Sequence, residues 1–148
     1  MTKPLAVITG ASSGIGEATA KAFSNAGYPT LLLARRIEIM ESFNLKNSIC
    51  KKIDVRDRDA LVSAIREAEK QYGPTDMMFN NAGVARLADI STQDPSEWDE
   101  MIDVNTKGVM NGIYAVMKDM KARQSGTIVN MSSIAGRKVY GDHTVYCG

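Results

Sequence analysis

The stretch "TGASSGIG", residues 9–16, decides the fold class of this 148-residue chain. It ends the apolar run "LAVITG" (5–10), a predicted buried strand, and opens a helical pattern over residues 14–27. Glycine accepts the positive φ of a tight turn and lets an anion approach the backbone where a helix N-terminus offers free N–H groups. In this context the spacing predicts a cradle for a dinucleotide diphosphate, rather than a turn with packing value alone. The predicted cradle residues are Gly10, Ser12, Ser13, Gly14, Ile15 and Gly16.

The rest of the chain alternates short apolar runs with helical patterns. Further strands are predicted at 30–34, 48–55, 76–83 and 126–133, and helices at 35–43, 58–73 and about 95–123. A last helix begins near the end of the chain, and residues 84–94 show no clear pattern. Strands that alternate with helices indicate a parallel sheet covered on both faces. We therefore predict an α/β fold of the Rossmann type, with a doubly wound sheet in three layers.

Composition and charge narrow the classes of function. Lys and Arg number 18 and Asp and Glu number 17, which gives no reason to expect a nucleic acid or a membrane as partner. Two distant cysteines and one histidine predict neither a disulfide framework nor a metal site. The apolar run near the N-terminus is too short for a secretory or membrane-spanning segment. We expect a cytoplasmic protein.

Four further motifs follow the glycine-rich turn. "NNAG" (80–83) follows the fourth strand, Asn105 lies in the long helix, "NMSS" (130–133) ends the fifth strand, and Tyr146 comes 13 residues after Ser133. With T-G-x-x-x-G-x-G, this order resembles the short-chain dehydrogenase/reductase family. The resemblance covers the whole chain but only the first part of the family's usual length. We expect residues 1–148 to be a single dinucleotide-binding domain, incomplete at its C-terminus and without the last strands of the family fold.

The resemblance implies hydride transfer between a nicotinamide dinucleotide and a carbonyl or secondary alcohol. Ser133 would donate a hydrogen bond to the substrate oxygen, Tyr146 would exchange the proton, and Asn105 would join a water relay. The family's Tyr-x-x-x-Lys motif places a lysine at position 150, which lies beyond this chain. A free phenol has a pKa of about 10 and is a poor base without a nearby cation. We therefore expect residues 1–148 alone to show no useful turnover.

Several of these assignments have competitors. Ser132 competes with Ser133, and Tyr140 competes with Tyr146, although it lies closer to the serines than the family spacing. Asn105 could instead bond a nearby backbone group, because a buried amide needs a partner. His143 suggests no Ser-His pair and is interpreted as a loop residue.

Two arginines indicate which cofactor is used. NAD-binding proteins of this fold usually carry an acid at the end of the second strand, where this chain has Arg35 and Arg36. A guanidinium pairs with a 2′-phosphate, so the sequence favours NADP(H) over NAD. The alternative is that one or both arginines are simply solvated residues that open the following helix. In the family, the positions of Asp54 and Val55 contact the adenine, although Asp54 could instead cap the following helix. Near the adenine ribose, the predicted pocket floor consists of Asn81, Ala82 and Gly83.

The long helix carries a predicted core-facing stripe of mostly apolar residues. At helical spacing it contains Trp98, Ile102, Asn105, Val109, Ile113, Val116 and Met120, and the nearby Met101, Met110 and Met117 are interpreted as core filler. The resemblance implies a homodimer or homotetramer through this helix in the full-length protein. The main alternative function is a dinucleotide-binding module without catalysis. A sugar-nucleotide-modifying relative fits less well, because those proteins usually carry T-G-x-x-G-x-x-G.

Overall fold

A single parallel sheet of five strands organises the computed structural model, which describes residues 3–148. The strand order is β3-β2-β1-β4-β5. The strands are β1 (Leu5–Thr9), β2 (Thr30–Ala34), β3 (Ser48–Lys52), β4 (Thr75–Asn80) and β5 (Thr127–Asn130). The chain runs outward from β1 in one direction and then in the other, so the doubly wound fold is confirmed and its switch point lies between β1 and β4. The last three strands end earlier than predicted, which leaves their polar continuations as loops at the carboxyl edge.

Helices connect successive strands and cover both faces of the sheet. They are α1 (Gly14–Asn25), α2 (Ile37–Ser42), α3 (Arg58–Tyr72), α4 (Pro95–Ile102), α5 (Gly108–Arg123) and α6 (Thr144–Cys147). A π turn, Asp103–Lys107, joins α4 to α5, and a short 3₁₀ turn, Ile134–Gly136, precedes α6. The predicted long helix is therefore present, but one widened turn interrupts its α-helical register.

The core is divided by the sheet into two apolar clusters. Successive strand residues point to opposite faces, so Val7 packs in one cluster and Ile8 in the other. The first cluster lies against α3 and α5 through residues such as Leu61, Ile65 and Val116. The second lies against α1 and α2. Every residue of β1 and β2 is buried, which explains why these strands read as continuous apolar runs.

The predicted apolar stripe of the long helix is wrong in part. Ile102 is 47% exposed and Met110 is 61% exposed, and Met117 also faces outward, so neither of these two methionines is core filler. Met101 and Met120 are buried as predicted. The error in the stripe lies at the end of α4 and in the π turn, where Met101 and Val104 are buried instead of Ile102. Val116 and Met120, which belong to the stripe in α5, are buried as predicted.

Helix α5 approaches β4 closely at Gly112. A Cβ at this position would overlap the side-chain oxygen of Asn80 and lie 2.7 Å from the Cε of Met78. Asn80 is itself buried, and its Nδ2 donates a 2.9 Å hydrogen bond to Oδ1 of Asn130 on β5. The absence of a side chain at position 112 lets the helix lie against the amide that links the two strands.

Replacing Gly112 with alanine should destabilise the protein. The overlap with Asn80 should cost about 1–3 kcal/mol and exceed the roughly 1 kcal/mol that alanine gains in helix propensity. Urea unfolding monitored by circular dichroism measures the difference. Gly141→Ala is the control, because no atom outside the local backbone lies within 4 Å of a Cβ there. Equal or greater stability of Gly112→Ala would show that the helix can move away from β4 at no cost.

Candidate functional site

A cleft of about 810 Å³ lies at the carboxyl ends of the strands, a volume typical of small-molecule sites. Its lining comes from the segments that follow all five strands and from the π turn and α6. Most of the predicted site residues line it: Gly10, Ser12, Ser13, Ile15, Arg35, Arg36, Asp54, Val55, Asn81, Ala82, Gly83, Asn105, Ser133 and Tyr146. The other two, Gly14 and Gly16, belong to the same turn but do not line the cleft.

The three glycines of the first turn serve different purposes. Gly10 and Gly14 adopt φ values of 63° and 56°, which side chains disfavour. At Gly16 a Cβ would lie 2.6 Å from Nδ2 of Asn81, so this glycine permits α1 to pack against the segment after β4. Ser13 is the N-cap of α1 but makes no side-chain capping bond. The positive end of α1 therefore has no capping side chain where it faces the cleft.

Thr9, which sequence reasoning did not identify, fastens β1 to β4. Its buried hydroxyl accepts hydrogen bonds from the backbone N–H groups of Asn81 (3.0 Å) and Ala82 (3.1 Å). The side-chain Nδ2 of Asn81 returns the contact by donating to the carbonyl of Thr9 (3.1 Å) and, at 3.3 Å, to that of Gly10. The amide of Asn81 thus holds the glycine-rich turn in place. In the sequence, the only indication of this role was that Thr9 is the first residue of the T-G-x-x-x-G-x-G motif.

The two arginines at the end of β2 have different partners. Arg36 Nη2 donates to the hydroxyl oxygens of Ser12 (3.3 Å) and Ser13 (3.2 Å), which places its guanidinium over the glycine-rich turn. Arg35 is 60% exposed, and its Nη1 lies 3.8 Å from Oε1 of Glu100 on α4. The structure therefore brings Arg36 to the predicted cradle and leaves Arg35 at the rim of the cleft.

Asp54 pairs with a neighbouring arginine. Its Oδ1 accepts from the backbone N–H of Arg56 at 3.0 Å, and its Oδ2 lies 2.6 Å from Nη2 of the same residue. This hydrogen-bonded guanidinium lowers the pKa of Asp54 despite the opposing effect of partial burial. The alternative that Asp54 caps α3 is wrong, because Asp57 accepts the capping bond from Ala60 N–H at 3.0 Å.

Val55 has a buried side chain, and its carbonyl is bonded by Asn111, a residue that sequence reasoning missed. Asn111, on α5, is buried and donates from Nδ2 to the carbonyl of Val55 at 2.8 Å. Its Oδ1 accepts from Nε of Arg58 at 2.9 Å, so both ends of this amide have partners. These bonds fix the segment after β3 against α5 and set the position of one wall of the cleft.

Asn105 lies in the π turn and makes two bonds with a single residue. Its Oδ1 accepts from the backbone N–H of Val84, and its Nδ2 donates to the carbonyl of Val84, both at 2.8 Å. The alternative in which Asn105 bonds a nearby backbone group is therefore what the structure contains. This pairing fixes the segment that follows Gly83 along the floor of the cleft.

Ser133 precedes the short 3₁₀ turn, Tyr146 follows it on α6, and both line the cleft. Ser133 Oγ accepts from the backbone N–H of Ala135 at 3.1 Å, which leaves its own proton free to donate. Tyr146 is half-buried on α6, with the ring of His143 6.1 Å away between centroids. Ser132 lines the cleft as well, whereas Tyr140 does not.

Metal sites and membrane spans are the remaining classes of feature in residues 3–148. That part of the chain contains no group of three or more His, Cys, Asp or Glu side chains placed to hold a metal ion. Within the same range no helix has both the length and the apolar character needed to cross a membrane.

The sequence of this chain matches one protein family and is similar to known oxidoreductases. The sequence profile of the family described as short chain dehydrogenase matches residues 4–148. An uncharacterized oxidoreductase of Staphylococcus saprophyticus is 42% identical over 146 residues, which cover 96% of this chain and 59% of that protein. Acetoacetyl-CoA reductase of Paracoccus denitrificans is 38% identical over 136 residues, or 90% of this chain and 56% of that protein.

A solved structure shows the same fold. The closed form of a serine dehydrogenase complexed with NADP⁺ superposes with a TM-score of 0.92 at 29% identity, over 97% of this chain and 59% of that one. The chain thus spans about three fifths of the length of the relatives it matches.

Replacing Thr9 with valine should loosen the junction of β1 and β4. Valine has the same shape but cannot accept the two hydrogen bonds, and unpaired donors cost about 1–3 kcal/mol. We expect a loss of about 2 kcal/mol in the free energy of unfolding and faster hydrogen exchange at the amides of Asn81 and Ala82. Thr9→Ser keeps the hydroxyl and should retain most of the protection. If both variants behaved alike, the methyl group rather than the hydroxyl would hold this junction.

Proposed function

The chain belongs to the short-chain dehydrogenase family, and from this premise we propose that it is an oxidoreductase acting on carbonyl or secondary alcohol substrates with NADP(H). The observation that carries the proposal is the meeting of two sets of residues in one cleft. Residues of the glycine-rich turn line this cleft, and so do Ser133 and Tyr146. A module that only binds a dinucleotide does not need the second set.

The residues of the glycine-rich turn fit a dinucleotide. Gly14 leaves open space, with no atom within 4 Å of a Cβ placed there, and α1 begins beside it without a capping side chain. In this proposal the diphosphate lies against these free N–H groups, and Asp54 and Val55 contact the adenine. When bound, a nicotinamide dinucleotide supplies hydride transfer, and the protein contributes binding, orientation and proton transfer.

The charge at the end of β2 supports NADP(H) over NAD(H). Arg35 and Arg36 occupy the place where an acid would hold ribose hydroxyls, and guanidinium groups pair well with phosphate. Arg36 already reaches over Ser12 and Ser13, so three donors lie together beside the predicted phosphate position. The complex of the related serine dehydrogenase with NADP⁺ is consistent with this choice.

In this proposal Tyr146 transfers the proton and Ser133 is a hydrogen-bond donor. The Ser133 hydroxyl has a free proton to donate to the substrate oxygen, and the phenol of Tyr146 would exchange a proton with the same oxygen. The phenol needs a nearby cation to lower its pKa, a role that the family gives to a lysine four residues further on. Asn105 contributes by holding the segment after Gly83 through Val84.

The outer face of the long helix supports assembly into a homodimer or homotetramer. Met110, Tyr114 and Met117 lie at helical spacing on this face, and all three are exposed, as is Ile102. Exposed apolar residues that form one surface indicate an interaction site more often than a solvated surface. We propose that a second copy of the protein covers this surface.

The cofactor preference can be tested on the two arginines separately. We expect Arg35→Asp and Arg36→Met each to weaken NADPH binding by at least about tenfold, because each removes a charge-assisted contact with the 2′-phosphate. NADH binding should stay nearly unchanged. Fluorescence titration with both nucleotides measures the ratio of the NADPH and NADH affinities. Arg137→Met is the control, because Arg137 is exposed and lies outside the cleft lining. An unchanged preference in both variants would rule out this basis for NADP(H) selection.

Tyr146→Phe tests the proposed proton transfer. In protein that carries the lysine expected at position 150, the variant should lose at least about 100-fold in carbonyl reduction while it still binds NADPH. NADPH oxidation with a panel of ketones that includes acetoacetyl-CoA measures the rate. Tyr140→Phe is the matched control, because Tyr140 does not line the cleft. Full activity of Tyr146→Phe would require a different proton donor.

A further inference from the structure

Glu100 lies among arginines that come from separate parts of the fold. Its Oε2 accepts a 2.9 Å hydrogen bond from Nε of Arg86, which follows β4. Its Oε1 lies 3.8 Å from Nη1 of Arg35 at the end of β2. The side chain of Glu100 is only 21% exposed, so its position on α4 is well defined by these neighbours.

The carboxylate of Glu100 is charged at neutral pH. The hydrogen bond from Arg86 lowers the pKa of Glu100, and the charges of Arg86, Arg35 and Arg56 act in the same direction. A negative charge is therefore held permanently beside Arg35. Arg36 differs, because within residues 3–148 it pairs with the hydroxyls of Ser12 and Ser13 and makes no ion pair.

The two contacts of Glu100 differ in strength. The bond from Arg86 is short and direct, whereas the 3.8 Å separation from Arg35 is too long for a hydrogen bond. An exposed ion pair of this kind contributes little stability, so Arg35 can turn toward another anion at small cost. Glu100 would then remain in place, held by Arg86, and its charge would still repel that anion.

We propose that Glu100 is a specificity-determining residue whose carboxylate competes with the cofactor's 2′-phosphate for Arg35 and limits the preference for NADP(H) over NAD(H). This inference rests on the proposed function, because it requires the 2′-phosphate to bind at the end of β2. NAD(H) has neutral hydroxyls on its adenosine ribose, so the charge of Glu100 affects it little. Glu100 thus acts on the difference between the two cofactors rather than on dinucleotide binding in general.

Glu100→Gln tests the proposal, because glutamine keeps the shape and a hydrogen-bond acceptor but removes the charge. We expect NADPH to bind roughly five- to tenfold more tightly, from the repulsion between a unit charge and a phosphate several ångströms away, while NADH affinity changes little. Isothermal titration calorimetry at low ionic strength measures both affinities. The gain should shrink at about 0.5 M salt, where charges are screened within a few ångströms.

Two controls separate this role from a structural one. Glu67→Gln removes the same charge from an exposed residue paired with Lys51, and it should leave the NADPH to NADH ratio unchanged. In an Arg35→Met background, Glu100→Gln should lose the part of its gain that comes from competition for Arg35 and keep the part that comes from direct repulsion, so its effect should be smaller than in the unmodified protein. Thermal unfolding verifies that each variant is folded.

The outcomes distinguish the inference from the proposed function. If the unmodified protein binds neither nucleotide, the proposed function fails and the inference fails with it. If it prefers NADPH and Glu100→Gln leaves NADPH affinity unchanged or weaker, only the inference fails. An equal gain for NADPH and NADH would also overturn it, because such a gain reflects a general change in the cleft.

Discussion

The junction between β1 and β4 is the constraint on which the rest of the structure depends. The chain winds away from this junction in both directions, and the crevice of a doubly wound sheet opens where the direction changes. The buried Thr9 hydroxyl accepts from two backbone N–H groups after β4, and Asn81 donates back to the end of β1. These reciprocal bonds place the glycine-rich turn beside the segment that follows β4.

The charges around the cleft follow from the same arrangement. Parallel strands end at one edge, so the polar residues that follow β2, β3 and β4 come together there although they are distant in sequence. Arg56 is neutralised by Asp54, and Arg35 is only loosely paired with Glu100. Arg36 contacts neutral hydroxyls. This edge therefore keeps positive charge available to an anion, and acidic groups within the chain set how much is available.

Much of the fold and of the site could be predicted because the signals were local. The alternation of strands and helices, the positive φ of Gly10 and Gly14, and the end of α3 at Gly73 depend on residues close together in sequence. The long helix shows where such reasoning stops. Its apolar pattern predicted a core position for Ile102, but Met101 and Val104 are the buried residues there, and the supposed core methionine Met110 faces outward.

The sequence alone determined the order of the elements, the parallel sheet and which segments would meet at the carboxyl edge. Only the tertiary structure decided which atoms pair there. It gave the α3 cap to Asp57, assigned the amide of Asn105 to Val84 and placed Glu100 between Arg86 and Arg35. The physical reason is that whether a hydrogen bond or ion pair forms depends on differences of a few tenths of an ångström in the distance between two groups. Periodicity and turn chemistry specify the path of the backbone but not those distances.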